Sequence, residues 1–148
     1  MGLKIGKKAP VFDLPSTSGE IFSLKDHSNG PLVLYFYPKD FTSGCTKEAC
    51  SFRDRWDIFQ GLSVNVLGIS ADDMETHHRF RKKYDIPFHL LTDKDGTVSK
   101  LYNAWIPFIN LPARRTYLLG PDLLIQGIFS SMFQAKKHVE YALGNYKL

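Results

Sequence analysis

The residues that could do chemistry are concentrated in residues 35–50, YFYPKDFTSGCTKEAC, which contain the only two cysteines of the chain. Cys45 and Cys50 are five positions apart. The stretch begins on an apolar run typical of a buried strand and ends inside a predicted helix, so both thiols fall on one helix. A thiolate can act as a nucleophile, bind a metal or form a disulfide, and the spacing must discriminate among these chemistries.

The predicted position of Cys45 favours its thiolate form. Thr42 or Ser43 can cap the helix, which places Cys45 in the first turn, where backbone N–H groups are unpaired and the helix dipole is positive. Both effects stabilise the thiolate, which is the nucleophilic form. Glu48, one turn later, is expected to oppose this weakly. We therefore expect a fixed cation from elsewhere in the chain to assist.

Cys50 lies deeper in the same predicted helix, where neighbouring N–H groups are already paired and no comparable activation is expected. A helix rises about 1.5 Å per residue, so the two Cα atoms are about 7.5 Å apart along the axis alone. A disulfide needs Cα atoms closer than about 7 Å. A bond between Cys45 and Cys50 therefore requires the helix to unwind locally, which predicts a transient bond and not a permanent one.

Three functions compete for such a pair of thiols. Structural zinc needs about four ligands, and the only evident additional donors, His77 and His78, are adjacent on a different predicted helix and point apart. A thiol–disulfide exchanger is expected to use Cys-x-x-Cys, which brings both sulfurs to one helix tip. A two-thiol peroxidase fits best, because one thiolate attacks an oxygen and the second thiol condenses with the resulting sulfenic acid.

The elements that must position these thiols alternate along the chain. Short β-rich runs predict strands at 31–37, 62–69, 88–91, 115–119 and 123–129. Amphipathic periodicity predicts helices at 43–59, 73–84, 97–103 and 134–146. This order predicts an α/β fold with a mixed central β-sheet flanked by helices, and a reactive site beyond the carboxyl end of a central strand.

The composition is typical of one globular domain over residues 1–148, with 43% hydrophobic and 23% charged residues. No run approaches the roughly 20 apolar residues of a membrane span, and the first residues lack the apolar core of a secretory signal. The net charge is +4, and its densest basic run, 79–83, is interpreted as a solvated helix face in preference to a nucleic-acid site. Two cysteines and no sign of export make a reducing cytoplasm the expected compartment.

The spacing Pro38-x-x-x-Thr42-x-x-Cys45 resembles the active-site signature of the peroxiredoxins. Across residues 35–50 the sequence resembles the bacterioferritin-comigratory (PrxQ) branch of that family, and the likeness covers nearly the whole chain. Further matches lie at 6–14, 52–54 and 67–70. The resemblance implies a thioredoxin-like fold and reduction of hydrogen peroxide or organic hydroperoxides, with no metal and no organic cofactor.

The resemblance also implies a role for each residue of the site. Cys45 corresponds to the peroxidatic cysteine and Cys50 to the resolving cysteine. Thr42 would offer its hydroxyl to the peroxide and the thiolate, and Pro38 would shield the sulfur from water. Arg114 takes the place of the family's arginine, where it would stabilise the thiolate and polarise the O–O bond.

The implied cycle passes through a sulfenic acid on Cys45 and a transient intramolecular disulfide with Cys50, and a thioredoxin- or glutaredoxin-type reductant closes it. A second function shares the first step: a thiol-based peroxide sensor or relay would pass the oxidation to a partner protein. The branch is commonly monomeric, and neither a nucleic acid nor a membrane is an expected partner.

Residues 105–112, WIPFINLP, depart from the branch, which usually has a longer segment rich in glycine and lysine at this place. Beside the active site, such an apolar segment is expected either to wall the pocket or to form a partner surface. The first role would favour organic hydroperoxides, and the second would make a dimer an alternative to the monomer.

Overall fold

The computed structural model describes residues 3–27 and 30–146. The strands are β1 (Asp13–Pro15), β2 (Ile21–Ser23), β3 (Leu32–Phe36), β4 (Asn65–Ser70), β5 (His89–Thr92), β6 (Trp105–Ile106), β7 (Leu111–Pro112), β8 (Arg115–Leu119) and β9 (Ile125–Ser130). The helices are α1 (Ser43–Asp54), α2 (Trp56–Gly61), α3 (Met74–Tyr84), α4 (Thr97–Leu101) and α5 (Ala135–Tyr146), with a short 3-10 turn at Leu24–Asp26.

Five strands form the central sheet in the order β5-β4-β3-β8-β9. β3, β4 and β5 are parallel, whereas β8 runs antiparallel to both β3 and β9. The predicted mixed sheet flanked by helices is confirmed. β3 is its middle strand, so the segment that leaves the carboxyl end of β3 emerges at the centre of the sheet.

Alternation along β3 divides the core into two clusters, because successive side chains of a strand point to opposite faces. Val33 and Tyr35 face the cluster that contains Cys45 and residues of α1, α2, α3 and α5. Leu34 and Phe36 face the other cluster, which is covered by α4 and the N-terminal segment. A strand buried on both faces explains the continuous apolar run of the sequence.

The helix predicted over residues 43–59 is divided at Arg55, where α1 ends and α2 begins. No glycine or proline marks the division. Around it, the Phe52 and Phe59 rings lie 5.7 Å apart and the Trp56 ring lies 5.8 Å from Phe88. The contact of Trp56 with Phe88 joins residues distant in sequence, so helical periodicity alone did not predict the break.

Two short hairpins, β1–β2 and β6–β7, were not predicted, because two or three residues are too few for a periodicity. The second hairpin contains the apolar segment 105–112, and Phe108 at its tip is 90% exposed. The basic run of α3 has Phe80 in the core and Arg79, Lys82 and Lys83 exposed, whereas Arg81 is half-buried and donates to the carbonyl of Phe88 at 2.8 Å. Among the described residues, no helix combines the length and the apolar character that crossing a bilayer would need.

Candidate active site

Cys45 lies in the first turn of α1, directly beyond the carboxyl end of β3. Thr42 is the residue that caps this helix, with extended backbone angles. Its hydroxyl donates to the carbonyl of Lys39 at 2.8 Å and accepts no hydrogen bond from a helix N–H group. The Cys45 side chain is almost fully buried, with 1% of its surface exposed. The buried sulfur therefore belongs to the turn whose backbone amides have no partner within the helix.

Arg114 is the fixed cation that we expect beside Cys45. Its Nη2 donates to Cys45 Sγ at 3.3 Å, and its Nε donates to the carbonyl of Met132 at 3.0 Å. The residue directly precedes β8, which pairs with β3, so the sheet register brings it to the end of the strand that leads to Cys45. Arg115 instead donates to the hydroxyl of Tyr117 at 2.9 Å. The structure thus places the first of the two adjacent arginines against the thiol.

Glu48 is fully buried beside the same guanidinium, and its Oε1 accepts a hydrogen bond from Arg114 Nη1 at 2.6 Å. Burial raises the pKa of Glu48 to about 8, although the positive charge of Arg114 opposes this. The expectation that Glu48 weakly opposes the thiolate stays a prediction, and the structure adds that the two residues share one helix face because they are three apart. Glu48 and Cys45 approach one cation from the same side of α1.

A neutral histidine lies behind Glu48. Burial lowers the pKa of His138 to about 4, so its imidazole carries one proton at neutral pH. Nε2 donates that proton to the carbonyl of Ser131 at 2.9 Å, and Nδ1 accepts from the hydroxyl of Thr116 at 2.8 Å. The same Nδ1 lies 3.7 Å from Glu48 Oε2. Glu48 therefore has a single close cationic partner, Arg114.

A cavity of about 780 Å³ opens over Cys45 and brings together Pro38, Thr42, Cys45 and Arg114. Met132 and Phe133, from the segment between β9 and α5, are large apolar residues of its lining, and Phe133 is 97% exposed. Three lysines also line it, at positions 47, 136 and 137. Four of the five predicted site residues therefore share one cavity.

Residues 105–112 do not line this cavity, so the prediction that they wall the pocket was wrong. Tyr102 and Ala104, which lead into the segment, are packed in the cluster on the opposite face of the sheet from Cys45. The hairpin therefore starts on the face of the sheet that lies opposite the thiol. Its other predicted role, as a partner surface, is not affected by this placement.

The model of the AhpC/TSA family matches residues 5–128. The chain belongs to this family. Among its relatives, a Coxiella burnetii protein named as a peroxiredoxin bcp is 50% identical over 106 residues, which are 72% of this chain and 70% of the relative. The chloroplastic peroxiredoxin Q of Oryza sativa subsp. japonica is 42% identical over 135 residues, which are 90% of this chain and 62% of the relative.

Solved structures give the same result. The crystal structure of peroxidoxin BcpB from Mycobacterium tuberculosis superposes with a TM-score of 0.91 and 32% identity, covering 98% of this chain and 97% of that one. A structure of the bacterioferritin comigratory protein of Xanthomonas campestris, described with its alkyl peroxide reduction activity, has a TM-score of 0.81 and 26% identity over 90% of each chain. The predicted peroxiredoxin branch, thioredoxin-like fold and enzyme class, a thiol peroxidase, are confirmed.

Cys50, the predicted resolving cysteine of this peroxiredoxin, lies outside the cavity. Both cysteines are free thiols, and α1 is continuous from Ser43 to Asp54. Partial burial raises the pKa of Cys50, which favours its thiol form. In an intact helix, its Cα is about 7.5 Å along the axis from that of Cys45, so the structure holds the arrangement in which the disulfide cannot form.

Sequence reasoning gave no role to Gly44. A Cβ atom at this position would lie 2.9 Å from Arg114 Nη2, so the glycine leaves room for the guanidinium to reach Cys45. Only the position of Arg114 in the fold reveals this requirement. Glu48, in contrast, had a signal in the sequence, because it follows Cys45 by one helical turn.

The zinc site weighed from the sequence is not formed within the described residues. His77 is buried and contacts Asp40, whereas His78 is exposed. Of the residues described, Asp40, Asp72 and His77 are the three whose possible ligand atoms come together, and no cysteine is among them. Their polar atoms already hydrogen-bond to one another and to their neighbours.

Proposed function

We propose that this peroxiredoxin reduces hydroperoxides through a cycle of its two cysteines. The Cys45 thiolate attacks the terminal oxygen, so an S–O bond forms as the O–O bond breaks, and the departing oxygen takes up a proton and leaves as an alcohol or water. Cys50 then attacks the sulfur of the sulfenic acid, water leaves, and a disulfide forms. A dithiol reductant restores both thiols.

The contact between Arg114 and Cys45 at the base of the open cavity carries this proposal. The other guanidinium nitrogens are held by Glu48 and by the carbonyl of Met132, so the cation is fixed before substrate arrives. Fixed donors of this kind stabilise negative charge on the departing oxygen without reorganising. The oxygen of Thr42 lines the same cavity and keeps lone pairs that can accept the hydroperoxide O–H.

Mass spectrometry after one equivalent of peroxide tests the cycle. We expect an intramolecular Cys45–Cys50 disulfide in the wild type, a stable Cys45 sulfenic acid in Cys50→Ser and no reaction in Cys45→Ser. Oxidation of Cys50 in the Cys45→Ser variant would contradict the assignment of roles.

Organic hydroperoxides are the proposed substrates, because Met132 and Phe133 offer apolar surface beside the thiol. Phe133→Ala removes one of these surfaces without touching Cys45 or Arg114. We expect kcat/KM for cumene hydroperoxide to fall about tenfold, the size of a lost apolar contact, with that for hydrogen peroxide unchanged. An equal fall for both peroxides would show that Phe133 does not select the substrate.

The reductant is proposed to be of thioredoxin or glutaredoxin type, acting on a monomer in the cytoplasm. The low number of cysteines supports a reducing compartment, and the expected disulfide is of the kind that dithiol reductants exchange with. NADPH consumption with peroxide and either the thioredoxin or the glutathione–glutaredoxin system identifies the reductant. Imaging of a fluorescent fusion protein tests the compartment.

One observation favours the sensor or relay as a second candidate. Cys50 is partly buried, and the raised pKa of its thiol slows its attack on a sulfenic acid. A longer-lived sulfenic acid on Cys45 leaves time for a partner's thiol to react. Sustained turnover with a reductant supports the peroxidase, whereas arrest after one equivalent supports the relay.

A further inference from the structure

The segment that carries Pro38 and Thr42 is anchored on its inner side by a buried acid. Asp40 lies between these two residues and does not line the catalytic cavity. Its side chain is fully buried. Oδ1 accepts from the hydroxyl of Tyr37 at 2.6 Å, and Oδ2 lies 2.6 Å from Nδ1 of His77 on α3. These contacts attach the loop to α3, which does not line the catalytic cavity.

The contacts of His77 define how many protons the Asp40–His77 pair holds. Nε2 faces the carbonyl of Leu91 on β5 at 3.1 Å, and Nδ1 faces the Asp40 carboxylate. A carbonyl oxygen only accepts, so Nε2 must carry a proton, and a contact of 2.6 Å between Nδ1 and Oδ2 needs a second one. Asp40 and His77 together therefore bind one proton more than a carboxylate beside a neutral imidazole.

Acidic and phenolic groups surround this pair. The Tyr37 hydroxyl lies 3.5 Å from Nδ1 of His77, and Asp72 accepts from the backbone N–H of Asp40 at 2.8 Å. Asp73 caps the start of α3, one turn before His77. No arginine or lysine in the described part of the chain pairs with Asp40 or His77. His77 is therefore the side chain that ties the Asp40 carboxyl group to α3.

The next residue of the loop is fastened to the same helix. Phe41 has a left-handed backbone with φ of 67°, which is unusual for a bulky side chain. Its ring packs edge-on against Phe80 of α3, with 5.2 Å between centroids. A strained backbone persists only where its surroundings hold it. Here the ring contact and the adjacent Asp40–His77 contact hold it from one side.

We propose that the hydrogen-bonded pair of Asp40 and His77 is a latch that fixes the loop bearing Pro38 and Thr42 for the reaction at Cys45. Both are positioning residues, since neither contacts the thiol or the cavity. The latch lies upstream of the first turn of α1, so it can stay closed while residues of α1 unwind. Its kinetic consequences rest on the proposed function, whereas its hydrogen bonds do not.

The kinetic test compares His77→Asn, His77→Ala and the matched control His78→Asn, which changes the exposed neighbour on the same helix. An asparagine at position 77 can still donate a hydrogen bond to Asp40. The measurement is the second-order rate constant for oxidation of Cys45 by one hydroperoxide, followed by stopped-flow fluorescence at neutral pH.

We expect His78→Asn to react like the wild type and His77→Ala to be about ten- to a hundredfold slower, because the loop is displaced. His77→Asn keeps a donor toward Asp40 and should recover most of the lost rate. Equal rates for His77→Ala and His78→Asn, or a His77→Asn variant as slow as His77→Ala, would overturn the latch.

Nitrogen-15 NMR of the His77 ring supplies a readout that needs no peroxidase activity. A protonated Nε2, together with a hydrogen-bonded proton between Nδ1 and Asp40, supports the latch, and a bare Nε2 overturns it. This arm uses the wild-type chain, so it stands even where a variant fails to fold. A chain that shows these two hydrogen bonds and no reaction with peroxide would contradict the proposed function alone.

Discussion

At the scale of single residues, the site depends on the guanidinium of Arg114. Its three nitrogens contact three different groups: Cys45 Sγ, the carboxyl group of Glu48 and the carbonyl of Met132. A planar fork with fixed donors can make these contacts simultaneously, which the single ammonium of a lysine cannot do. The orientation of the positive charge, and not only its presence, is therefore built into the site.

Arg114→Lys keeps the charge and removes the fork. We expect kcat/KM for a hydroperoxide to fall about a hundred- to a thousandfold, as for loss of one preorganised donor to a developing anion. Arg115→Lys is the matched control, because Arg115 faces Tyr117 and not the thiol. Stopped-flow measurement of Cys45 oxidation checks both variants, and an equal loss in the two would remove the special role of Arg114.

Glu48 gives the site a pH-dependent stability. Burial raises its pKa in the folded chain from 4.5 to about 8, so the folded state binds this proton more tightly than the unfolded state does. The resulting stabilisation is complete below the unfolded value and is lost as the pH rises through the folded value.

Glu48→Gln is neutral at every pH. We therefore expect the free energy of unfolding of the wild type, relative to this variant, to decrease by on the order of a few kcal/mol between the two pKa values. Urea denaturation at pH values on either side of this window measures the difference. Parallel stability curves for the two proteins would show that the pKa of Glu48 is not raised.

At the scale of elements, the first turn of α1 must lie close to Arg114 and must also be able to unwind. Gly44 allows the close approach, since a Cβ atom there would lie 2.9 Å from Arg114 Nη2. Unwinding is required because Cys45 and Cys50 lie on one continuous helix and cannot form a disulfide while it is intact. The packing of α1 against β3 and α5 holds the closed form together.

Gly44→Ala is expected to displace the guanidinium and to lower the rate constant of Cys45 oxidation about tenfold, less than removal of the donor itself. Gly61→Ala is its control, because a Cβ atom at position 61 meets nothing within 4 Å. Alanine is favoured over glycine in helices, so the control should be at least as stable as the wild type. Slower oxidation in both variants would point to a general loss of structure.

Unwinding of α1 is measurable by hydrogen exchange. In the oxidised wild type, amides of residues 43–52 should exchange faster than in the reduced chain, because a Cys45–Cys50 disulfide breaks their helical hydrogen bonds. Cys50→Ser treated with peroxide serves as the control, since it forms a sulfenic acid without the disulfide and should stay protected. Full protection in the disulfide form would contradict the requirement for unwinding.

At the scale of the whole molecule, the sheet and its helices follow from patterns that the sequence displays directly. β3 was predictable because a strand buried on both faces has a continuous apolar sequence. α3 was predictable because the apolar Phe80 lies among charged residues at helical spacing. The position of Arg114 against Cys45 was predicted from a family resemblance. The contact of Asp40 with His77 could not be predicted, since it joins residues 37 positions apart with no shared motif.

The exposed apolar surface bears on the oligomeric state. Large apolar side chains exposed in the described residues are scattered along the chain: Ile5, Val11, Ile21, Phe41, Ile58, Leu101, Phe108, Ile109 and Phe133. Only Phe108 and Ile109 are adjacent in sequence, at the tip of the β6–β7 hairpin. An aromatic side chain buries about 150–250 Å², so this pair falls short of the roughly 1,200 Å² that a stable interface buries.

We therefore expect a monomer in the reduced state at micromolar concentration, by sedimentation velocity. The double variant Phe108→Ser, Ile109→Ser should sediment like the wild type, because the hairpin tip is too small to hold two copies together. Phe133→Ser is the control for apolar surface elsewhere, beside the catalytic cavity. A wild-type dimer that only the hairpin variant dissociates would show that residues 105–112 form a partner surface after all, with area contributed by neighbouring polar residues.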